Sequence, residues 1–275
     1  MSSASDSPMR AAVEFKTRRK YWGLVRELAA ADFKLKYQGS VFGYLWSLMK
    51  PLAIFGVLYL VFSVFVRIGS DIPNYPVYLL LGIVLWNYFA ESTVNGMRAI
   101  VDKGDLIRKV YFPRIMILLA SSLSALITLV LNLLIVAVFL LFAHTDQSWQ
   151  SFGFLFLILE LYLLSVGISL FLGALFVRFR DFAYIWEVAL QLLFYASAII
   201  YPLSLVPERF QKLLVLSPIT QIVQDARWLL VSKQTTTGFA ILAHWALIPY
   251  LIPPLLAITG YIYFERAASM FAEDV

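Results

Sequence analysis

The chain has 275 residues, 61% of them hydrophobic and 14% charged, with a mean hydropathy of +0.80. A soluble domain carries about 25% charged residues, so a water-facing globule is excluded and the sequence predicts an all-α integral membrane protein built as one membrane domain. The net charge of +5 sits beside apolar segments, which fits membrane orientation rather than a nucleic-acid partner, and the lack of cysteine excludes thiol chemistry.

Met1 to Lys20 is polar and basic, with no short apolar core or small-residue cleavage site, so it is not a cleaved signal peptide. Residues 1–13, rich in Ser and Ala, read as a disordered tail. A helix is expected from Glu14 to about Ala31, with room to run on to Lys36. Its apolar side carries Phe15, Trp22, Val25 and Ala29, with Tyr21 and Leu28 at the edge. Arg19, Lys20, Arg26 and Glu27 charge the remainder, and Arg18 must snorkel from the apolar sector. Such a helix lies in a membrane interface or packs on protein. From Asp32, Lys34, Lys36 and Gln38 alternate with Phe33, Leu35 and Tyr37, a period of two that predicts a looser connector. Gly39-Ser40 offers a bend, and Tyr44 and Trp46 suit the headgroup level.

Six apolar segments follow, each near the length of about 20 residues that spans a bilayer: Tyr44–Val66, Tyr75–Gly96, Pro113–Ala143, Phe152–Val177, Phe182–Tyr201 and Ile241–Phe264. Of the 22 Lys and Arg residues, 16 fall in the stretches on the N-terminal side of the membrane and five in the opposite connections. Positive residues stay cytoplasmic, so both termini, including the tail 265–275, are placed inside.

Two connections depart from simple loops. VDKGDLIRKVYFPR, Val101–Arg114, puts Leu106, Ile107, Val110 and Tyr111 on one broad helical face, which predicts a short cytoplasmic helix with a docking side. Pro202–Lys233 is broken by Pro202, Pro207 and Pro218 yet carries apolar runs. Short helices dipping back into the outer leaflet fit it, provided that protein or a hydrated cavity satisfies their backbone; a lid on the outer surface fits equally.

Polar residues inside a bilayer usually face the bundle interior or a cavity. Asn87, Glu91 and Asn95 recur every four residues, with Arg98 a turn further on; Ser121, Ser124, Thr128 and Asn132 make a second stripe; Glu187 and Gln191 continue into Phe194, Tyr195, Ala198 and Tyr201. They line a hydrated path or bond helices together. Ser165, Ser169 and Gly173 read as a close-packing row, and Glu160 stands alone. Phe55, Tyr59, Phe62 and Val66 form an aromatic row for lipid contact, helix packing, or a sugar passing a flat ring face. The pore-lining candidates are Phe55, Tyr59, Phe62, Asn87, Glu91, Glu187 and Tyr195. His144 and His244 read as interface residues, so no metal site is expected. No phosphate-cradling loop, H-E-x-x-H or G-x-S-x-G motif occurs; no catalytic or cofactor-binding residue is expected, and any ATP must be bound by another chain.

The stretches DFKLKYQGSVFGYLWSLMKPL, VDKGDLIRKVYFPR, RFRD at Arg178–Asp181 and LSPITQIVQDARWLL at Leu216–Leu230 together resemble the membrane permeases of polysaccharide-export ABC transporters. These are type-2 exporters of lipid-linked O-antigen, teichoic acid or capsule in the bacterial inner membrane. The resemblance covers nearly all of the chain after Arg18. It implies a homodimer of six-span subunits with two nucleotide-binding subunits that carry ATP and Mg. It implies that the helix before Gly39, with Arg26, Asp32, Lys34 and Lys36, is an interface helix. Asp102, Lys103, Asp105, Leu106, Ile107 and Arg108 would form the coupling helix, Arg178, Arg180 and Asp181 a second contact, and Pro202–Leu230 the re-entrant gate. A drug or lipid permease of the same superfamily, and an ATP-independent transporter, are the alternatives.

Overall fold

In a computed structural model of the chain, residues 6–68, 72–109, 112–143, 145 and 148–268 are described, with side chains from Tyr21 onward except Tyr37. Val110, Tyr111, His144, the tail beyond 268, and the side chains of Phe15, Arg18, Arg19 and Lys20 lie outside the described set. All regular structure among the described residues is helical: α1 Asp6–Tyr37, α2 Leu45–Tyr59, α3 Tyr75–Asp102, α4 Gly104–Lys109, α5 Ile115–Phe142, α6 Gly153–Arg178, α7 Phe182–Ala196, α8 Glu208–Val215, α9 Pro218–Leu230, α10 Gly238–Leu242 and α11 Leu247–Ala268.

The bundle is organised around α3. Leu79, Leu80, Leu81, Ile83 and Leu85 are buried on successive sides of the helix, as expected for one apolar all round and enclosed by neighbours. Packed against it are α2, α5, α6, α7 and α9. The row Ser165, Ser169 and Gly173 acts structurally. Ser169 donates to the Ser92 carbonyl (3.3 Å), and a Cβ on Gly96 would lie 2.6 Å from the Ser169 Cβ. On the other side of α6, Gly167 and Gly260 let α11 approach until a Cβ on either would fall 2.7 Å from backbone atoms of the other helix. Small residues permit this approach where lipid gives no hydrophobic drive to pack.

Three expectations need correction. First, α1 is continuous from Asp6 to Tyr37, so residues 6–13 are helical rather than tail, and 32–38 is no connector. Pro8 falls among the first four helical residues, whose N–H groups lack intrahelical partners anyway. Nothing then interrupts the helix until Gly39 and Gly43, whose φ of +77° and +51° make the reversal. Phe33 stacks on Tyr44 (5.1 Å) across it.

Second, among the described residues five helical stretches rather than six are long and apolar enough to cross a bilayer: Leu45–Phe65, Tyr75–Asp102, Ile115–Phe142, Trp149–Arg178 and Leu247–Ala268. The remaining segment, expected to reach Tyr201, is helical only over the 15 residues of α7. That is about 22 Å at 1.5 Å per residue, short of a hydrocarbon core of about 30 Å. It stops because Ala198 turns into the left-handed region at φ +51°. Third, the last span begins at Leu247 rather than Ile241, because Ala243, at φ +48°, breaks the helix.

Of the two roles open to α1, the described face packs on protein. Val25 and Ala29 are buried against Ala120 and Leu123 of α5, while Trp22 stands 66% exposed. Between α7 and α11 the chain folds back. Ile219 to Arg227 of α9 form a buried run packed against α3 and α6, so α9 is inserted among the helices rather than laid over them as a lid.

Candidate functional site

The two polar stripes of α3 and α5 face one another. With the end of α1 and the start of α2 they enclose a cavity of about 870 Å³. Asn87, Glu91, Asn95 and Arg98 come from α3, Ser121, Ser124, Thr128 and Asn132 from α5, Asp32 and Lys36 from α1, and Trp46 and Lys50 from α2. Spacings of three and four residues put each set on one helical face. Pro51 beside Lys50 sits within α2.

Its charges are partly paired. Lys36 Nζ lies 2.6 Å from Glu91 Oε1, and Lys103 Nζ lies 2.5 Å from Asp32 Oδ2. The Thr128 hydroxyl donates to the same Glu91 oxygen at 3.5 Å, and Asn132 donates to the Thr128 carbonyl at 2.9 Å. Lys50 and Arg98 are exposed on the wall and form no ion pair with another described residue. Two uncommitted cations, an indole and a row of hydroxyl and amide groups make a surface for an anion carrying hydroxyl-rich groups.

The expected pore-lining residues are split among three places. Asn87 and Glu91 are in the cavity. Phe55 and Tyr59 face inward: Phe55 stacks on Tyr59 (5.7 Å) and meets Phe139 edge-on (5.6 Å), while Tyr59 lies over Tyr75 (6.3 Å). Phe62 also packs against the main core. Glu187 and Tyr195 are exposed on α7 beside Tyr184, Val188 and Leu192, and Trp186 fixes that helix by donating to Thr93 of α3 (3.1 Å).

At the other end of α3, Lys103 separates it from α4. Asp102, Asp105 and Arg108 are exposed, whereas Leu106 and Ile107 are half-buried against a core with Ile100, Phe112 and Ile117. The apolar side of α4 is therefore partly occupied by the chain itself, and its charges point outward. Arg26 and Lys34 are exposed on α1, and Arg178, Arg180 and Asp181 are exposed between α6 and α7, where Arg180 lies 5.2 Å from the Phe176 ring.

Sequence reasoning missed the anchoring of α9. Arg227 is fully buried; its Nε donates to the Tyr78 carbonyl (3.2 Å), Nη1 to Ala198 (2.9 Å) and Nη2 to Ile199 (2.5 Å), and its guanidinium lies 3.6 Å from the Tyr78 ring centre. The neighbouring acid is a separate hub. Asp225 accepts from Gln221 (2.8 Å), the Gly238 backbone (2.8 Å) and the Tyr250 hydroxyl (2.5 Å), tying α9 to α10 and α11. The signal was present: Asp225 and Arg227, two residues apart on a helix, point away from one another and cannot pair, so each needs partners elsewhere. Glu160 of α6 is also buried, and among the described residues neither of its oxygens has a hydrogen-bond partner within normal geometry. Just past α9 Lys233 lies 3.5 Å from the Trp228 ring centre, and burial lowers its ammonium pKa from the ordinary lysine value.

Among the described residues no group of His, Cys, Asp or Glu is placed to hold a metal ion. Residues 23–231, from α1 to just past α9, match the ABC-2 type transporter family. The chain belongs to that family. Among ABC-2 relatives, the O-antigen export system permease protein RfbA of Klebsiella pneumoniae is 27% identical over 244 residues, covering 88% of this chain and 91% of the relative. The protein of the same name from Myxococcus xanthus is 27% identical over 258 residues, covering 93% and 96%. The polysialic acid transport protein KpsM of Escherichia coli is 24% identical over 237 residues, covering 83% and 90%. The family places this chain among membrane transport subunits, and the relatives correspond to it over most of their length.

Proposed function

We propose that this chain is the membrane subunit of an ATP-driven exporter of lipid-linked polysaccharide. It works as a homodimer with two copies of a separate ATPase subunit in the bacterial inner membrane. The relatives supply the transport class: O-antigen and polysialic acid are both polysaccharides. The observation that carries the reading is the cavity itself, where Lys50 and Arg98 have no acid partner among the described residues and stand beside Trp46 and the Asn, Ser and Thr rows. The cations suit the phosphate of a lipid-linked glycan, the ring and amides suit its first sugars, and an acyl chain can remain in the leaflet.

In this proposal α7 with the turn behind it serves as the sixth span, and the ends of this chain lie on the cytoplasmic side as the Lys and Arg distribution indicates. The interface helix is α1. The ATPase docks on Asp102, Asp105 and Arg108 of α4 with Arg178, Arg180 and Asp181 as a second contact, while α8 and α9 form the outer gate. The exposed face of α7 lies toward the dimer axis and its channel. ATP-driven closure of the partner dimer pushes α1 and α4, and the two halves rock apart.

A pump for apolar drugs needs no charged groups in its chamber, and the charged residues on this wall, Lys50 and Arg98 among them, weigh against it. The test is direct binding of a lipid-linked glycan to the purified chain in nanodiscs. Lys50→Gln with Arg98→Gln is expected to weaken binding at least about tenfold, the loss of two charge-assisted contacts. Equal binding by the double variant would refute this assignment of the cavity.

A further inference from the structure

The cavity wall holds two ion pairs that join parts of the chain far apart in sequence. Asp32 and Lys36 are one turn apart and share a face of α1. Lys36 reaches Glu91, midway along α3, and Asp32 reaches Lys103, the residue between α3 and α4. Helix α1 packs chiefly on α5, with Tyr21 and Leu24 near one end set against the core of Ile100 and Phe264. Across the cavity it reaches α3 through these side chains.

The two pairs differ in a useful way. The side chains of Lys36 and Glu91 are 35% and 25% exposed, those of Lys103 and Asp32 18% and 23%. A partly hydrated pair is weak and exchangeable. A diphosphate offers more negative charge and more acceptor oxygens than one carboxylate, and a lysine can re-aim its flexible stem without moving its helix. Glu91, once released, keeps the Thr128 hydroxyl nearby at 3.5 Å and stays on the cavity wall. Lys50, Arg98 and Asp102 are the other charged groups lining this space.

We propose that Lys36–Glu91 is an occupancy latch: an anionic diphosphate in the cavity takes Lys36 from Glu91, and α1 passes that event through Asp32–Lys103 to the α3–α4 junction. The inference rests on the proposed cavity site for the phosphate of a lipid-linked glycan, taken here as a diphosphate, and it assigns that site a regulatory output. The empty transporter is held by the Lys36–Glu91 pair in a low-activity arrangement. Loading breaks the pair nearer the centre of the membrane domain and leaves the one beside α4 intact, so a shift of α1 is delivered to α4 instead of being lost.

The test uses the complete exporter with its ATPase subunit in nanodiscs. A polyprenyl diphosphate is the probe, with its binding and the ATPase rate measured separately. Glu91→Gln keeps the side-chain shape and is expected to raise the basal ATPase rate about fivefold, the equivalent of one weak ion pair, and to shrink the stimulation by the probe. The charge swap Lys36→Glu with Glu91→Lys should lower the basal rate again. Asp32→Asn removes a negative charge from the wall, so it should bind the probe at least as tightly as the wild type yet lose stimulation, which distinguishes transmission from binding. Wild-type basal rate and stimulation in Glu91→Gln would overturn the latch while leaving the cavity assignment in place. Failure of the probe to bind the wild type would overturn both.

Discussion

Arg227 gives the sharpest quantitative test of how α9 is held. In Arg227→Met the side chain keeps its length and loses every donor. The Ala198 and Ile199 carbonyls, at 2.9 and 2.5 Å from the guanidinium, are left in a buried turn, and Tyr78 loses a bond to its carbonyl and a cation over its ring. A buried acceptor left without a donor costs about 1–3 kcal/mol, and two such carbonyls set the scale. Loss of the Tyr78 contacts adds to this and relief of guanidinium desolvation opposes it, so the net expectation stays at about 4 kcal/mol. At roughly 2 °C per kcal/mol for a chain of this size, the melting temperature in detergent should fall by about 8 °C. Gly82→Ala attacks the same contact from α3, because its Cβ would lie 2.7 Å from Arg227 Nη2, and should shift melting in the same direction. Arg227→Lys, a point charge that cannot fork to three carbonyls, should fall between. If Arg227→Met melts within about 1 °C of the wild type, α9 is not held by this residue and the reasoning fails.

Gly167→Val should destabilise the chain by about 2 kcal/mol through overpacking, since a Cβ there meets the Leu256 and Ala257 backbone at 2.7 Å; Gly56→Val, with open space around its Cβ, is the control, and thermal melting reads both. Asp102→Lys with Asp105→Lys should abolish copurification of the ATPase subunit without moving the melting temperature, because both side chains are exposed. Leu106→Asp with Ile107→Asp should lose export but also lower stability, as those residues are half-buried on the chain's own core. Gly39→Ala forces an L-residue to φ +77° at about 1 kcal/mol, and Gly39→Pro cannot adopt that angle; export assays should rank glycine above alanine above proline, and normal export in the proline variant would remove this reversal from the mechanism.

Long apolar runs made the cores of α2, α3, α5 and α6 legible in the sequence, because twenty or more apolar residues leave few alternatives to a helix. The polar rows of α3 and α5 were equally visible, but whether they bonded to one another or faced open space depended on how the helices were set. Where α7 ends was not legible. Its apolar run continues to Tyr201 past a single serine, Ser197, and the stop is made at Ala198 and Ile199, whose carbonyls are taken by Arg227 from 29 and 28 residues away. Likewise the alternation over Asp32–Gln38 suggested a connector, because the residues that give the charges their purpose, Glu91 and Lys103, belong to another helix. The aromatic row of α2 illustrates the converse. Its helical spacing was plain, yet Phe55 and Tyr59 turned out to face Phe139 and Tyr75 in the bundle.

The central claim is tested most directly by translocation in proteoliposomes holding this chain and its ATPase subunit, with a lipid-linked glycan labelled on its sugar in the leaflet facing the ATPase. The account predicts that ATP moves label to the opposite leaflet, where an added glycosidase can cut it, and that Lys50→Gln with Arg98→Gln slows this at unchanged ATPase assembly. Label that stays in its original leaflet with ATP present, in vesicles whose ATPase is bound and active, would contradict the account.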